Sequence, residues 1–147
     1  MSQDFWQDCL QLFLQAEICS DAAVVTNRPP WLLASCPEGN FIQMTQEEVQ
    51  TLLAKDQREK LFLQEVTLAG IKCLLIRDNL FTEGNNSMDL RTKDQSRSSQ
   101  AVTVVQMGSV YLVVMGKRGT EGGPLNLKAF EIAGYMREAI LKRISRC

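Results

Sequence analysis

The 147-residue chain contains no histidine. That absence excludes Ser-His-Asp and Cys-His catalysis, His-ligated zinc, and the usual general base near neutral pH. It has five cysteines, an odd number, widely scattered and without a C-x-x-C pair. A zinc ribbon or dithiol redox site is therefore not supported, and idle thiols in a reducing compartment are the simpler reading. Glycine and proline are scarce, nine and four residues, which excludes collagen-like and low-complexity classes. The longest apolar runs, such as Val110 to Met115, fall far short of the roughly 20 residues that a membrane helix requires. The first residues carry acid where a secretory signal carries Lys or Arg. Sixteen Lys and Arg against seventeen Asp and Glu give a net charge of −1, so no general attraction to nucleic acid is expected. The expectation is a cytoplasmic, monomeric protein forming one domain over residues 1–147, with no cofactor, no metal and no catalytic residue.

Periodicity orders the elements. Asp4 to Ala16 is predicted to be a helix, with Phe5, Trp6, Cys9, Leu10, Leu12, Phe13 and Leu14 spread over an arc of about 200°. Such a wide arc fits either a helix wedged between two elements or one that offers Trp6 to a ligand. Ala22–Val25 and Trp31–Ala34 are predicted strands around a turn at Asn27-Arg28-Pro29-Pro30. Thr45-Gln46-Glu47-Glu48 is a capping box opening a short helix to about Lys55. Two hairpins follow: Leu61–Leu68 with Ile71–Arg77 across Ala69-Gly70, and Ala101–Val105 with Val110–Met115 across Gly108-Ser109. Met88–Thr92 is a further strand, and 93–100 an exposed loop. A last helix is predicted from Asn126 to Ile144, with a core stripe of Ala129, Ile132, Ala133, Met136, Ile140 and Ile144 and with Tyr135 on the opposite side. This order describes an α+β domain on an antiparallel sheet, with terminal helices covering a face.

Candidate chemistry is thin. Gly116 to Gly123 holds four glycines but not the order of a phosphate-binding loop, and turn geometry accounts for them. Asp78, Glu83 and Asp89 are placed near turns, with solvated or backbone-capping roles. Arg77, Arg91 and Lys93 fall at or near strand ends and could share one polar face. Residues 1–27 carry Asp4, Asp8, Glu17 and Asp21 with no base, whereas Arg137, Lys142, Arg143 and Arg146 face only Glu138 in the last twelve residues. Complementary terminal helices or a small phosphate-binding patch would each explain that asymmetry. A thiol enzyme using Cys9 or Cys73 would need some cation other than His to make a thiolate.

Four segments taken together resemble profilins. Cys19-Ser20-Asp21-Ala22-Ala23-Val24-Val25 is similar to the family's C-x-D-A-A-h-V segment, h being apolar. Lys72-Cys73-Leu74-Leu75-Ile76-Arg77-Asp78 resembles a second segment, and Ser87-Met88-Asp89-Leu90-Arg91-Thr92-Lys93 matches S-M-D-L-R-T-K in every position. Met115-Gly116-Lys117 with Gly122-Gly123 and Asn126 resembles the opening of the last helix. The matches keep their order along nearly the whole chain.

The resemblance implies a profilin-like central antiparallel sheet with the N- and C-terminal helices packed on one face. It implies binding of monomeric actin, proline-rich proteins and phosphatidylinositol 4,5-bisphosphate head groups, hence an actin-regulating, cytoskeleton-associated role. Carried over by position, the actin face comprises Phe62, Lys72, Arg77, Arg91, Lys93, Gly123, Asn126, Phe130 and Glu131. Glu121 stands where the family often has His. The proline-peptide groove would use Trp6, with Cys9, Leu33, Tyr135 and Leu141 at positions where the family has other, mostly aromatic, residues. Trp31, two residues before Leu33, is expected on the same strand face. That pattern implies weakened or altered proline-peptide binding, or an interaction module that has largely lost the groove. Arg91, Lys93 and Arg137 match the basic positions for phosphoinositides.

Overall fold

A computed structural model describes residues 3–14, 17–93 and 98–145. The side chains of Asp4, Leu12, Phe13, Leu14, Arg143 and Ile144, the middle of the 93–100 loop, and Arg146 and Cys147 lie outside the described residues. The elements are α1 (Gln3–Leu14), β1 (Cys19–Thr26), β2 (Leu32–Ser35), α2 (Gln46–Leu53), β3 (Val66–Leu68), β4 (Ile71–Asn79), β5 (Ser87–Thr92), β6 (Ala101–Met107), β7 (Val110–Gly116) and α3 (Gly122–Ser145). All seven strands form one antiparallel sheet in the order β2-β1-β7-β6-β5-β4-β3.

Alternation along the strands builds two cores. Ala23, Val25, Cys73, Leu75, Met88, Leu90, Val102, Val104, Tyr111 and Val113 face one side, where they pack with Phe41 and the Val49, Leu52 and Leu53 stripe of α2. Ala22, Val24, Ala101, Val105, Leu112 and Val114 face the other, beneath Phe5, Trp6, Cys9 and Leu10 of α1 and the Leu125, Ala129, Ile132, Ala133, Met136 stripe of α3. Both terminal helices therefore lie on one face, and the central strands read as continuous apolar runs because both of their faces are covered.

Polar contacts fix the connections. The capping box at Thr45 forms: the Glu48 N–H donates to Thr45 Oγ1 at 3.1 Å and the Thr45 N–H to Glu48 Oε1 at 2.9 Å. The same carboxylate accepts from the Ala69 and Gly70 N–H groups, both at 2.9 Å. Ala69 and Gly70 have φ of 55° and 79°, the paired left-handed geometry of a tight hairpin turn. A non-glycine residue enters that region at a cost, and Glu48 supplies acceptors for the two N–H groups that the turn turns outward. On the same side of the sheet, opposite Met115 of β7, the buried Asp21 carboxylate accepts from the N–H groups of Ala22, Asn40 and Phe41 at 2.7–2.9 Å. Burial pushes its carboxyl up, against the pull of those three donors. A Cβ on Gly39 would collide with that carboxylate, which is why the 36–41 loop has glycine there.

Several expectations shift. Residues 61–65 do not extend the first hairpin strand: Arg58–Phe62 is a 3-10 turn and β3 has only three residues. Arg58 explains it. Its guanidinium pairs with both Asp78 oxygens at 2.7 and 3.0 Å, donates to the Leu52 and Ala54 carbonyls at the end of α2, and lies 4.9 Å from the Phe81 ring centroid. These anchors hold residues 58–62 in a turn against the α2-side core. The last helix begins four residues before Asn126, at Gly122, and Gln100 is buried rather than part of an exposed loop.

Two measurements test this account. Arg58 and Asp78 side chains are 12% and 8% exposed, so Arg58→Ala strands a buried carboxylate and should cost about 3–5 kcal/mol in urea unfolding. For Glu48, partial burial raises the carboxyl, but the Gly70, Thr45 and Ala69 N–H groups and the Thr67 side chain outweigh it and hold it below the ordinary range. Its stabilisation is therefore complete above the unfolded value of about 4.3 and is lost as pH falls through the lower folded value. Stability curves taken into acid should fall less steeply for Glu48→Gln than for the unsubstituted chain.

Candidate functional site

The site lies where the cover of α3 ends. α3 packs over β6 and β7, leaving the same face of β4 and β5 open. On β4, Lys72 and Leu74 alternate with the buried Ile71, Cys73 and Leu75. The register then shifts between Leu75 and Arg77, so Ile76 is an extra residue. A bulge of one residue reverses the facing of everything beyond it. Arg77 consequently returns to the open face opposite Asp89, and Asp78 turns inward to meet Arg58. Across on β5, Arg91 pairs with Leu74, and the Lys93 N–H donates to the Lys72 carbonyl at 2.8 Å. The structure thus brings Lys72, Arg77, Arg91 and Lys93 onto one face, with exposed Leu74 and Ile76 among them.

Asp89 organises this face. It lies mid-strand in β5 rather than near a turn, and accepts from Arg77 Nη2 at 2.9 Å, Thr103 Oγ1 at 2.9 Å and Asn126 Nδ2 at 3.0 Å. One carboxylate, 15% exposed, therefore joins β4, β6 and the first turns of α3. The sequence suggests a solvated or backbone-capping role for it, although the spacing Asp89-Leu90-Arg91 already puts it on the side of Arg91. Gly123, Asn126 and Phe130 share one side of α3 within an arc of about 60°, beside the exposed Leu127. Phe130 is partly buried on the helix-side core, and Glu131 pairs with Lys128 at 3.1 Å. Phe62 is exposed on the turn before β3, where its neighbour Leu61 is the buried anchor. Among the described residues Arg91 has no carboxylate or carbonyl partner, whereas Lys72 and Lys93 meet Glu65 and Arg77 meets Asp89.

Arg137 stands apart. It donates to the Gln106 carbonyl at 3.3 Å, five residues along β6 from Ala101, the partner of Arg91. At 3.4 Å per residue that is about 17 Å from the Arg91 level. Arg137 lines a separate polar cleft with Asn86, Gln106 and Phe130.

A second cleft, of about 490 Å³, opens between the terminal helices and the β1–β2 turn, lined by Trp6, Leu33, Ile140, Met107 and the Arg28-Pro29-Pro30 segment. Among the described lining residues Trp6 is the one aromatic, packed edge-on to Phe5 with centroids 5.1 Å apart. Trp31 is not there, which corrects the expected facing. It precedes β2, has φ of 67°, and packs against the α2-side core, while Leu33 packs toward α1 and α3. Two-residue alternation holds only within a strand, and β2 starts at Leu32. Cys9 is buried in the helix-side core, and Tyr135 and Leu141, 60% and 65% exposed, are not among the lining residues.

Cys73 and Cys19 are poorly placed for catalysis. Burial, reinforced by the charge of Glu48, pushes the Cys73 thiol up to about 12. Burial also raises Cys19 despite the nearby Lys128 and Lys117. Neither is a thiolate near neutral pH.

Known proteins share this arrangement. The family model described as Profilin matches residues 4–141. Mouse Profilin-1 is 35% identical over 136 residues, covering 91% of this chain and 96% of the relative. The crystal structure of rat profilin 2a superposes with a TM-score of 0.86 at 35% identity, covering 95% of this chain and 99% of that one. Mouse Profilin IIa, solved in complex with a double repeat from the FH1 domain of mDia1, superposes with a TM-score of 0.81 at 34% identity, over 91% and 97% of the two chains. With its two-faced sheet, its terminal helices on one face and a match over most of its length, the chain belongs to the profilin family.

Proposed function

We propose that this chain, acting as one domain, binds monomeric actin through the open β4–β5 face and the start of α3, and thereby regulates actin polymerisation. The observation that carries this reading is the set of four cations, Lys72, Arg77, Arg91 and Lys93, on an open sheet face that also exposes Leu74 and Ile76. Cations around apolar contacts suit an extended interface with an acidic protein. Gly123, Asn126 and Phe130 continue it along α3, with Phe62 and Glu131 at its margins. The role is stoichiometric binding in the cytoplasm, in association with the cytoskeleton, without catalysis and without a cofactor. Arg91 and Lys93 would also attract phosphoinositide head groups in competition with actin, weakly and with strong salt dependence; the distance of Arg137 from them argues against a single three-cation pocket.

The proline-peptide cleft is the second element. Proline-rich helices pack on flat rings and accept hydrogen bonds from groups such as an indole N–H. A cleft with Trp6 as the one ring among its described lining residues supports weaker binding than a groove lined with several, and this favours the reading in which the groove is reduced.

Two experiments separate these activities. In pyrene-actin assays the chain should suppress spontaneous nucleation, and Arg91→Glu should weaken actin binding at least tenfold, about 1.4 kcal/mol, with its thermal unfolding unchanged. Full nucleation at tens of micromolar protein contradicts the actin reading. With a polyproline peptide, any change in tryptophan fluorescence should survive Trp31→Phe and vanish in Trp6→Phe; the reverse pattern would place the peptide on the other side of the sheet.

A further inference from the structure

The open face carries its own carboxylate among the lysines. Glu65 directly precedes β3. Val66 pairs with Cys73 into the α2-side core, whereas the Glu65 carboxylate reaches the lysines of the outward side. There Glu65 Oε1 lies 3.2 Å from Lys93 Nζ, and Oε2 lies 3.8 Å from Lys72 Nζ. The hydrogen bond from Lys93, then the charges of Lys72 and Lys93, hold the carboxyl below its ordinary range. Among the described residues Glu65 has no polar partner except these two lysines. Its position differs from that of Asp89, which is 15% exposed and also binds Thr103 and Asn126. Glu65, Lys72 and Lys93 side chains are 44%, 60% and 48% exposed, so their contacts are screened, exchange readily and add little to the fold.

Their consequence appears when a partner arrives. An acidic surface that approaches Lys72 or Lys93 must displace Glu65, then confine it beside its own carboxylates as water leaves. Like charges brought together at an interface oppose association and reject the partner that carries them. We propose that Glu65 is a built-in competitor for the acidic surface that the β4–β5 face binds, lowering affinity and slowing association. This proposal rests on the actin reading for the identity of the partner, and it adds a residue that tunes the strength of that contact.

The test compares the unsubstituted chain, Glu65→Gln, Lys72→Met/Lys93→Met, and the triple variant. Each is titrated against monomeric actin at low and high salt, and in parallel against soluble poly-L-glutamate as a bare acidic probe. Glu65→Gln should bind both about threefold to fivefold tighter at low salt, mainly through faster association, and the gain should shrink at high salt. In the Lys72→Met/Lys93→Met background the same substitution should gain much less. Unchanged or weaker binding of Glu65→Gln to actin, while the unsubstituted chain binds, overturns the proposal, as does an unchanged affinity for poly-L-glutamate. If no variant binds actin while poly-L-glutamate binding tightens as described, the actin reading fails and the competition by Glu65 stands.

Discussion

A sheet covered on both faces has to hide side chains in both directions, and a polar row can reach water only where one cover stops. In this chain that place is set by α3. The helix lies over β6 and β7 with its Leu125, Ala129, Ile132, Ala133, Met136 stripe buried, and β4 and β5 continue past it. The cations of the open face have solvent because no helical stripe extends far enough to bury them. Site and core are thus two outcomes of one alternation pattern, with opposite faces of β4 serving each.

Within that frame two ion pairs of opposite facing divide the labour. Asp78 and Arg58 lie on the inward side, where their near-complete burial makes them a lock between α2, the 58–62 turn and β4. Asp89 and Arg77 lie on the outward side, where Thr103 and Asn126 share the carboxylate and Arg77 stays more than half exposed. The residue that separates their facings is Ile76. If it were not bulged, Arg77 would point into the apolar core and Asp78 into water, and both pairs would be lost together. A hydrophobic residue with 59% exposure at that point is the local consequence of keeping both.

Much of this was legible in the chain itself. The apolar runs of β1, β6 and β7, the Thr45–Glu48 capping box, the turns at Ala69-Gly70 and Gly108-Ser109, and the α3 stripe are local patterns, and local physics produces them. The four cations of the site were likewise named by resemblance. What local pattern does not carry is register. Lys72 and Arg77 are an odd number of residues apart, so a regular strand would set them on opposite faces; only the pairing with β5 shows the bulge that reunites them. Trp31 fails for the same reason from the other direction, since counting by twos from Leu33 assumes a strand that has not yet begun. The 61–65 segment has strand-forming residues, but Arg58, fixed by a carboxylate twenty positions later in the chain, bends it into a turn. The sequence alone makes Asp89 a solvated or capping residue and does not single out Glu65, because their partners come from other strands and from α3.

The outermost strands have a further consequence. β2 spans four residues and β3 three, and β3 is preceded by a glutamate paired with two lysines. Unpaired backbone groups at a sheet margin invite a second molecule to add its own strand, yet segments that stack into fibrils run to six or seven residues. Here each margin offers a template too brief, and on one side too charged, to be copied. Self-templating through β2 or β3 is thereby disfavoured, and the open face remains available to a different kind of neighbour.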